Sequence, residues 1–258
     1  MQDSRRRQEE MYHFPYHHVN QFDPVSGQGF AQHRANPAGF RYAAYLMKIL
    51  RELERTEFAT LVDFGCGDGF FLRQFAERFP HEKGVGVDIA AQAIEFARLF
   101  NQGNANEFLC RDIVREGLPQ RYDAGTSIAV IEHIPPDELP PFIAAMHRHL
   151  KPGGTMLVAV PSHKLPVHKI SRHYQHFCED SLRQALAPWF RPVETGYITR
   201  QPRRWKYLSW LVYNRFFILN HRGLLSRFFR GYLRHCLEAT HRDGLMVWGR
   251  FVAREDAQ

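Results

Sequence analysis

The four cysteines, Cys66, Cys110, Cys178 and Cys236, are too far apart to form a CxxC pair. That spacing argues against a zinc knot and suits core thiols in a reducing compartment. No stretch reaches the roughly 18 uninterrupted apolar residues of a membrane span. The charged first ten residues do not resemble a secretory leader, so a cytoplasmic location is expected. Internal repeats and low-complexity tracts are missing. Acidic residues are missing altogether from Thr195 to Leu237, while the chain as a whole carries a formal charge of +7. The excess favours anionic partners without naming one.

With 258 residues, 44% of them hydrophobic, the chain is long enough for one elaborated domain with a real core. Residues 1–39 read as an irregular arm rich in histidine and aromatics, and 40–258 as the domain proper. A helix is expected over 39–57, with Tyr42, Tyr45, Leu46, Ile49, Leu50 and Leu53 as its apolar stripe. Strands are then expected over 60–64, 84–88, 107–110, 126–130, 155–160, 193–199 and 245–253. Helices are expected over 69–79, 90–101, 137–150 and 179–186. Alternation of this kind predicts an α/β fold, a mainly parallel sheet with helices on both faces. Ligands in such sheets bind beyond the carboxyl ends of the strands.

The first strand runs into Val62-Asp63-Phe64-Gly65-Cys66-Gly67-Asp68-Gly69, a glycine-rich turn expected to face a ligand with its N–H groups. No Lys-Ser or Lys-Thr follows, so this is not a P-loop, and Phe70 breaks the GxGxxG pattern of dinucleotide folds. Asp63 and Asp68 bracket the turn. Two carboxylates repel a pyrophosphate and suit an ammonium or a sulfonium, although Asp68 also suits the cap of the next helix. The second strand ends in Asp88, where a carboxylate can accept hydrogen bonds from both ribose hydroxyls. The third ends in Cys110-Arg111-Asp112, within reach of an adenine amino group.

Together with Gly86-Val87-Asp88, Arg111-Asp112-Ile113, Ile131-Glu132-His133-Ile134 and Leu150-Lys151-Pro152-Gly153-Gly154, the turn resembles the class I S-adenosylmethionine-dependent methyltransferases. The likeness covers about residues 55–160 in order and spacing. It implies a Rossmann-like seven-stranded sheet whose last strand is antiparallel, and S-adenosylmethionine as cofactor. It also implies that Asp63 and the Gly65-Cys66-Gly67 backbone hold the methionine part, Asp88 the ribose and Asp112 the adenine. Ile89 and Ile113 would flank the ring, and Ala129 would line the sulfonium side.

Methyl transfer to oxygen needs alignment, exclusion of water and a base. His133 follows the fourth strand. His173 and His176 lie in a segment that resembles the HxxxF-x4-L stretch of small-molecule O-methyltransferases. His133 and His173 are therefore the expected catalytic residues. Some relatives bind a divalent ion through Glu-x-x-Glu-His on this loop. Here Ala129 replaces the first Glu, and no metal is expected.

Residues 201–243 form an insertion before the last strand, dense in arginine and aromatics, with an amphipathic basic helix in its second half. It is expected to be a helical cap that roofs the acceptor site, with some of Arg203, Arg204, Lys206 and Arg215 facing an anionic acceptor. Peripheral membrane contact through the same segment is a further reading, and nucleic-acid binding a weaker one. Tyr12, Phe14, Tyr16, His17 and His18 of the arm are expected to cover the cofactor. The expected function is O-methylation of a small molecule, a glycan or a lipid-linked intermediate. The alternatives are an RNA methyltransferase, an N-methyltransferase and a non-catalytic cofactor-binding subunit.

Overall fold

A computed structural model describes residues 9, 10, 12, 37–165, 173–212, 214, 216, 217, 219 and 221–255. The first helix, α1 (Pro37–Leu53), starts on a proline, which suits an N-terminal turn, and stops short of the expected residue 57. The stop has a local cause: the Thr56 hydroxyl donates to the Glu52 carbonyl (3.0 Å) and the Thr56 N–H to that of Leu53 (3.0 Å), closing the last turn.

Then follow β1 (Thr60–Phe64), α2 (Phe70–Arg78), β2 (Lys83–Asp88), α3 (Ala91–Phe100), β3 (Glu107–Cys110) and β4 (Tyr122–Ile128). The chain continues through α4 (Leu139–Arg148), β5 (Leu150–Pro161), α5 (Glu179–Leu186) and β6 (Phe190–Ile198). The inserted helices α6 (Arg203–Val212) and α7 (Arg222–Cys236) come next, and β7 (Glu238–Ala239) and β8 (Met246–Ala253) end the fold.

The strands form one sheet in the order β3-β2-β1-β4-β5-β8-β6-β7. The first five pair in parallel, and β8 runs antiparallel between β5 and β6. The sheet thus has eight strands rather than the expected seven. The extra one, β7, is a two-residue pairing of Glu238 and Ala239 with Ile198 and Tyr197, formed where the insertion returns to the sheet edge.

Period-two alternation divides the core. Val62, Phe64, Met156, Val158 and Val160 face α4 and α5, whereas Leu61, Leu157 and Ala159 face α1, α2 and α3. Strand β4 begins four residues earlier than its hydrophobic pattern suggests, because Asp123 and Gly125 are poor strand formers; Gly125 is nonetheless paired on both sides, and Asp123 sits at the register shift opposite β5. Its end is set by Ala129, whose φ of 56° turns the chain out of the sheet. The Lys151-Pro152-Gly153-Gly154 stretch is a bulge inside β5, opposite Asp123, and Lys151 Nζ contacts the Asp123 carboxylate at 2.6 Å.

The insertion packs as a separate small core. Trp205 of α6 lies against Phe228 and Tyr232 of α7, and Phe40 of α1 completes the cluster with Val212, Cys236 and Leu237. Helix α1 is therefore shared by the cap and the main domain.

Candidate active site

A cavity of about 400 Å³ opens beyond the carboxyl ends of the parallel strands. Asp63, Gly65 and Cys66 reach it from β1 and its turn, Asp88 and Ile89 from β2, Asp112 and Ile113 from β3, and Ala129 from β4. Glu132, His133 and His173 line it as well. One expected residue, Gly67, is not part of the lining among the described residues. The Tyr12 hydroxyl stands over it, where a Cβ would be, and its N–H donates to Asp88 Oδ2 at 3.0 Å.

The glycine turn works differently from the sequence expectation. The N–H groups of Gly65 (2.8 Å) and Cys66 (3.1 Å) both donate to the Val87 carbonyl, so with that of Gly67 all three point inward. They tie the end of β1 to β2, so none of these three faces a ligand. What glycine contributes at position 65 is room. Its φ is +78°, and a Cβ there would lie 2.6 Å from the Val130 side chain. The next helix is capped by Gly69 itself, with no side-chain cap bond, so Asp68 does not play that part.

Asp63 and Thr126 are direct neighbours in the β1–β4 register, and the Thr126 hydroxyl donates to Asp63 Oδ1 at 2.7 Å. Burial pushes the Asp63 carboxyl up to about 7; the Thr126 bond opposes that, and the charge of Asp88 adds to it. Asp88 is raised too, first by burial, against backbone bonds that include the Ala90 N–H at 2.9 Å. Burial and the three nearby aspartates likewise push the Cys66 thiol up. Crowded, buried carboxylates of this kind are relieved by a cationic ligand and worsened by a diphosphate. The cradle therefore fits a ligand that carries an ammonium and a sulfonium. Asp112 spends Oδ1 on the N–H groups of Val114 (3.0 Å) and Arg115 (3.3 Å), which fixes the turn that presents Ile113.

The second half of the site was only partly anticipated. His133, in a 3-10 turn after β4, meets His173 edge to face with ring centroids 4.6 Å apart. The Tyr174 N–H donates to the Glu132 carbonyl (2.8 Å), which stitches the two segments together. A chain of bonds sets the tautomers. His176 Nδ1 lies 2.9 Å from the Leu165 carbonyl, which can only accept, so this nitrogen carries hydrogen. In the neutral ring Nε2 then accepts from His173 Nδ1 at 2.7 Å, and His173 keeps its lone pair at Nε2. Burial, then the neighbouring His133 and His176, pull His173 down to about 4, so its ring is neutral near pH 7.

Glu132 is the candidate residue that the sequence undervalues, since there it is only half of a metal set. It is fully buried, neither carboxyl oxygen has a hydrogen-bond partner among the described residues, and burial raises its pKa to about 8. Among the described residues, Glu132, His133 and His173 form a group able to hold a metal, with one ligand atom from each within 4.8 Å of the others. Position 129, where a further carboxylate ligand was sought, holds Ala129. Arg41, Tyr42 and Tyr45 of α1 also line the cavity, a contribution that an apolar helical stripe does not reveal.

The expected roof is not where the sequence placed it. No described residue of 201–243 lines the cavity; Arg203, Arg204 and Lys206 are exposed on α6, and Arg215 lies outside the described residues. The reason is the shared helix: the cap's aromatics are spent on Phe40, one residue before the cavity-lining Arg41. Of the arm, Tyr12 does stand over the cradle, whereas Phe14, Tyr16, His17 and His18 lie outside the described residues.

Comparison with known proteins agrees with this geometry. Residues 61–154 match a family model described as a methyltransferase domain. Trans-aconitate 2-methyltransferase of Streptomyces avermitilis is 32% identical over 165 residues, 61% of this chain and 58% of that protein. Ubiquinone biosynthesis O-methyltransferase of Serratia proteamaculans is 25% identical over 215 residues, 77% of this chain and 85% of that one. In fold, the chain is similar to the N-methyltransferase NodS of Bradyrhizobium japonicum, solved with S-adenosyl-L-homocysteine. The TM-score is 0.60 at 14% identity, over 98% and 99% of the two chains. The chain thus spans less than two thirds of the length of the first of these relatives. Over residues 61–154 the chain is similar to methyltransferase domains, and its fold is that of the solved methyltransferases.

Proposed function

We propose that the protein methylates a hydroxyl oxygen of a small acceptor bound beside Glu132, His133 and His173. The observation that carries this reading is the buried, unpartnered Glu132 carboxyl next to an imidazole whose free lone pair is fixed by its neighbours. Buried polar groups without partners are rare in native proteins and call for an explanation. An acceptor hydroxyl supplies the missing hydrogen bond.

S-adenosylmethionine, when bound, would supply a methyl group made electrophilic by its sulfonium. Asp63 and Asp88 would hold its cationic and ribose ends at the β1–β2 side of the cavity. His173 Nε2 accepts the hydroxyl's hydrogen bond and orients its oxygen. As the oxygen loses its proton, the cluster takes it: His173 is the first acceptor, and the ionised form of Glu132, whose pKa is raised to about 8, is the group able to keep it. The walls of Tyr42, Tyr45, Phe142 and Leu165 exclude water from the reacting atoms.

Relatives named as O-methyltransferases, acting on malonyl-acyl-carrier protein and in ubiquinone biosynthesis, support oxygen as the target. The cavity's size and apolar walls support a compact acceptor, such as a small molecule or the head of a lipid-linked intermediate, over a polynucleotide. His173→Ala and Glu132→Gln should each lower turnover by roughly 10²–10⁴-fold while the affinity for S-adenosylhomocysteine holds. Near-normal turnover in both single variants and in the double variant rules the cluster out as the proton acceptor and makes a neutral nitrogen the better target.

A further inference from the structure

Helix α6 is apolar on both faces. Its inner face buries Trp205, Ser209 and Val212 in the cap core. Its outer face presents Tyr207, Trp210 and Leu211 to solvent, with Trp210 57% exposed, and Leu208 beside them. The segment after the helix adds Phe216, 82% exposed, and Phe217. Among the described residues, none covers the outer face of α6. Runs of exposed large apolar side chains on a soluble surface mark an interaction site.

The charged side chains of the two cap helices are of one sign. Arg203, Arg204 and Lys206 stand exposed at the start of α6, and Arg227, Arg230 and Arg234 on α7. No acidic residue occurs between Thr195 and Leu237 to neutralise them. Trp and Tyr at headgroup depth, Leu and Phe below them and Arg or Lys beside the phosphates are the pattern of a helix lying in a membrane interface. A nucleic acid would use the arginines and the aromatic faces, but has no need of the aliphatic Leu208 and Leu211. No helix among the described residues is long and apolar enough to cross a membrane, so contact would be in the plane of the surface.

We propose that the outer face of α6, with Phe216 and Phe217, docks on an anionic lipid surface, with the exposed arginines of the cap supplying the positive charge. This inference stands apart from the chemistry of the cavity. It has a geometric consequence: the cap rests on Phe40, and Arg41, Tyr42 and Tyr45 of the same helix line the cavity. Docking therefore puts the membrane one helix away from the site.

The test is co-sedimentation of the full chain with phosphatidylcholine vesicles, with and without phosphatidylserine. Binding should require phosphatidylserine and weaken as salt is raised. The triple variant Tyr207→Ser, Trp210→Ser, Leu211→Ser and the pair Arg203→Glu, Arg204→Glu should each bind at least about tenfold more weakly. Both should keep wild-type affinity for S-adenosylhomocysteine, which shows that they are folded. Equal vesicle binding by wild type and variants overturns the proposal. So does a wild type that ignores vesicles but forms a dimer that the triple variant cannot form, because the face is then a subunit interface. Tighter binding to single-stranded RNA than to vesicles, lost in the same variants, overturns it as well.

Discussion

The Thr126 hydroxyl donates to Asp63 Oδ1 at 2.7 Å across the β1–β4 pairing, and this bond opposes the burial that lifts Asp63 to about 7. The pair has a measurable consequence. An ammonium-bearing ligand needs Asp63 ionised, so binding below that pKa must drive a proton off. Affinity for S-adenosylhomocysteine should be level above about pH 7 and fall as the pH drops through it. Thr126→Val removes the opposing bond and should move the inflection to higher pH. Calorimetric titrations on both sides of neutrality measure this. An affinity that does not change with pH would show that Asp63 is ionised throughout and does not carry the linkage.

Gly65 has a φ of +78° and no space for a side chain against Val130. Gly65→Ala should cost about 1–3 kcal/mol of stability from backbone strain alone. It should also weaken cofactor binding, because the turn at the cavity wall has to shift. Adding Val130→Ala relieves the contact but not the φ, so it should restore part of the loss. The check is the melting temperature of the two variants with and without S-adenosylhomocysteine. Full recovery in the double variant would mean that contact alone sets the requirement for glycine.

The group Glu132, His133 and His173 offers one carboxylate and two imidazoles, and the chain has no acid at Ala129 to add a ligand. Turnover should therefore survive exhaustive chelation, with the cluster acting through protons. Loss of activity in chelator, restored by zinc or manganese but not by magnesium, would instead make these three side chains ligands of an ion that suits nitrogen donors.

The gathering of the expected cofactor residues at one cavity was legible in the sequence because each lies at or just past the carboxyl end of a strand. Asp63, Asp88, Asp112 and Ala129 all arrive at one cavity for that reason. The turn's hydrogen bonds were not legible. Whether the N–H groups of Gly65 and Cys66 face a ligand or the Val87 carbonyl depends on how closely β1 and β2 end together, a distance that motif spacing does not encode. The pairing of His173 with His133 was half visible, as two histidines in two separate motifs. The orphaned state of Glu132 was not, because burial is a property of the packed fold. The cap was misplaced for a similar reason. Its composition showed an aromatic core and a basic surface, but only the packing of Trp205, Phe228 and Tyr232 on Phe40 shows that the core faces α1 and leaves the arginines outside.

The most direct test is transfer of labelled methyl from S-adenosylmethionine by the purified chain into fractionated extract, aqueous and lipid, with mass spectrometry of the labelled product. The account predicts a labelled small molecule or lipid-linked compound with the methyl group on oxygen, formed by the wild type and strongly reduced with the Glu132→Gln, His173→Ala double variant. Label on nitrogen, label in RNA, or a product formed equally by the double variant would contradict it.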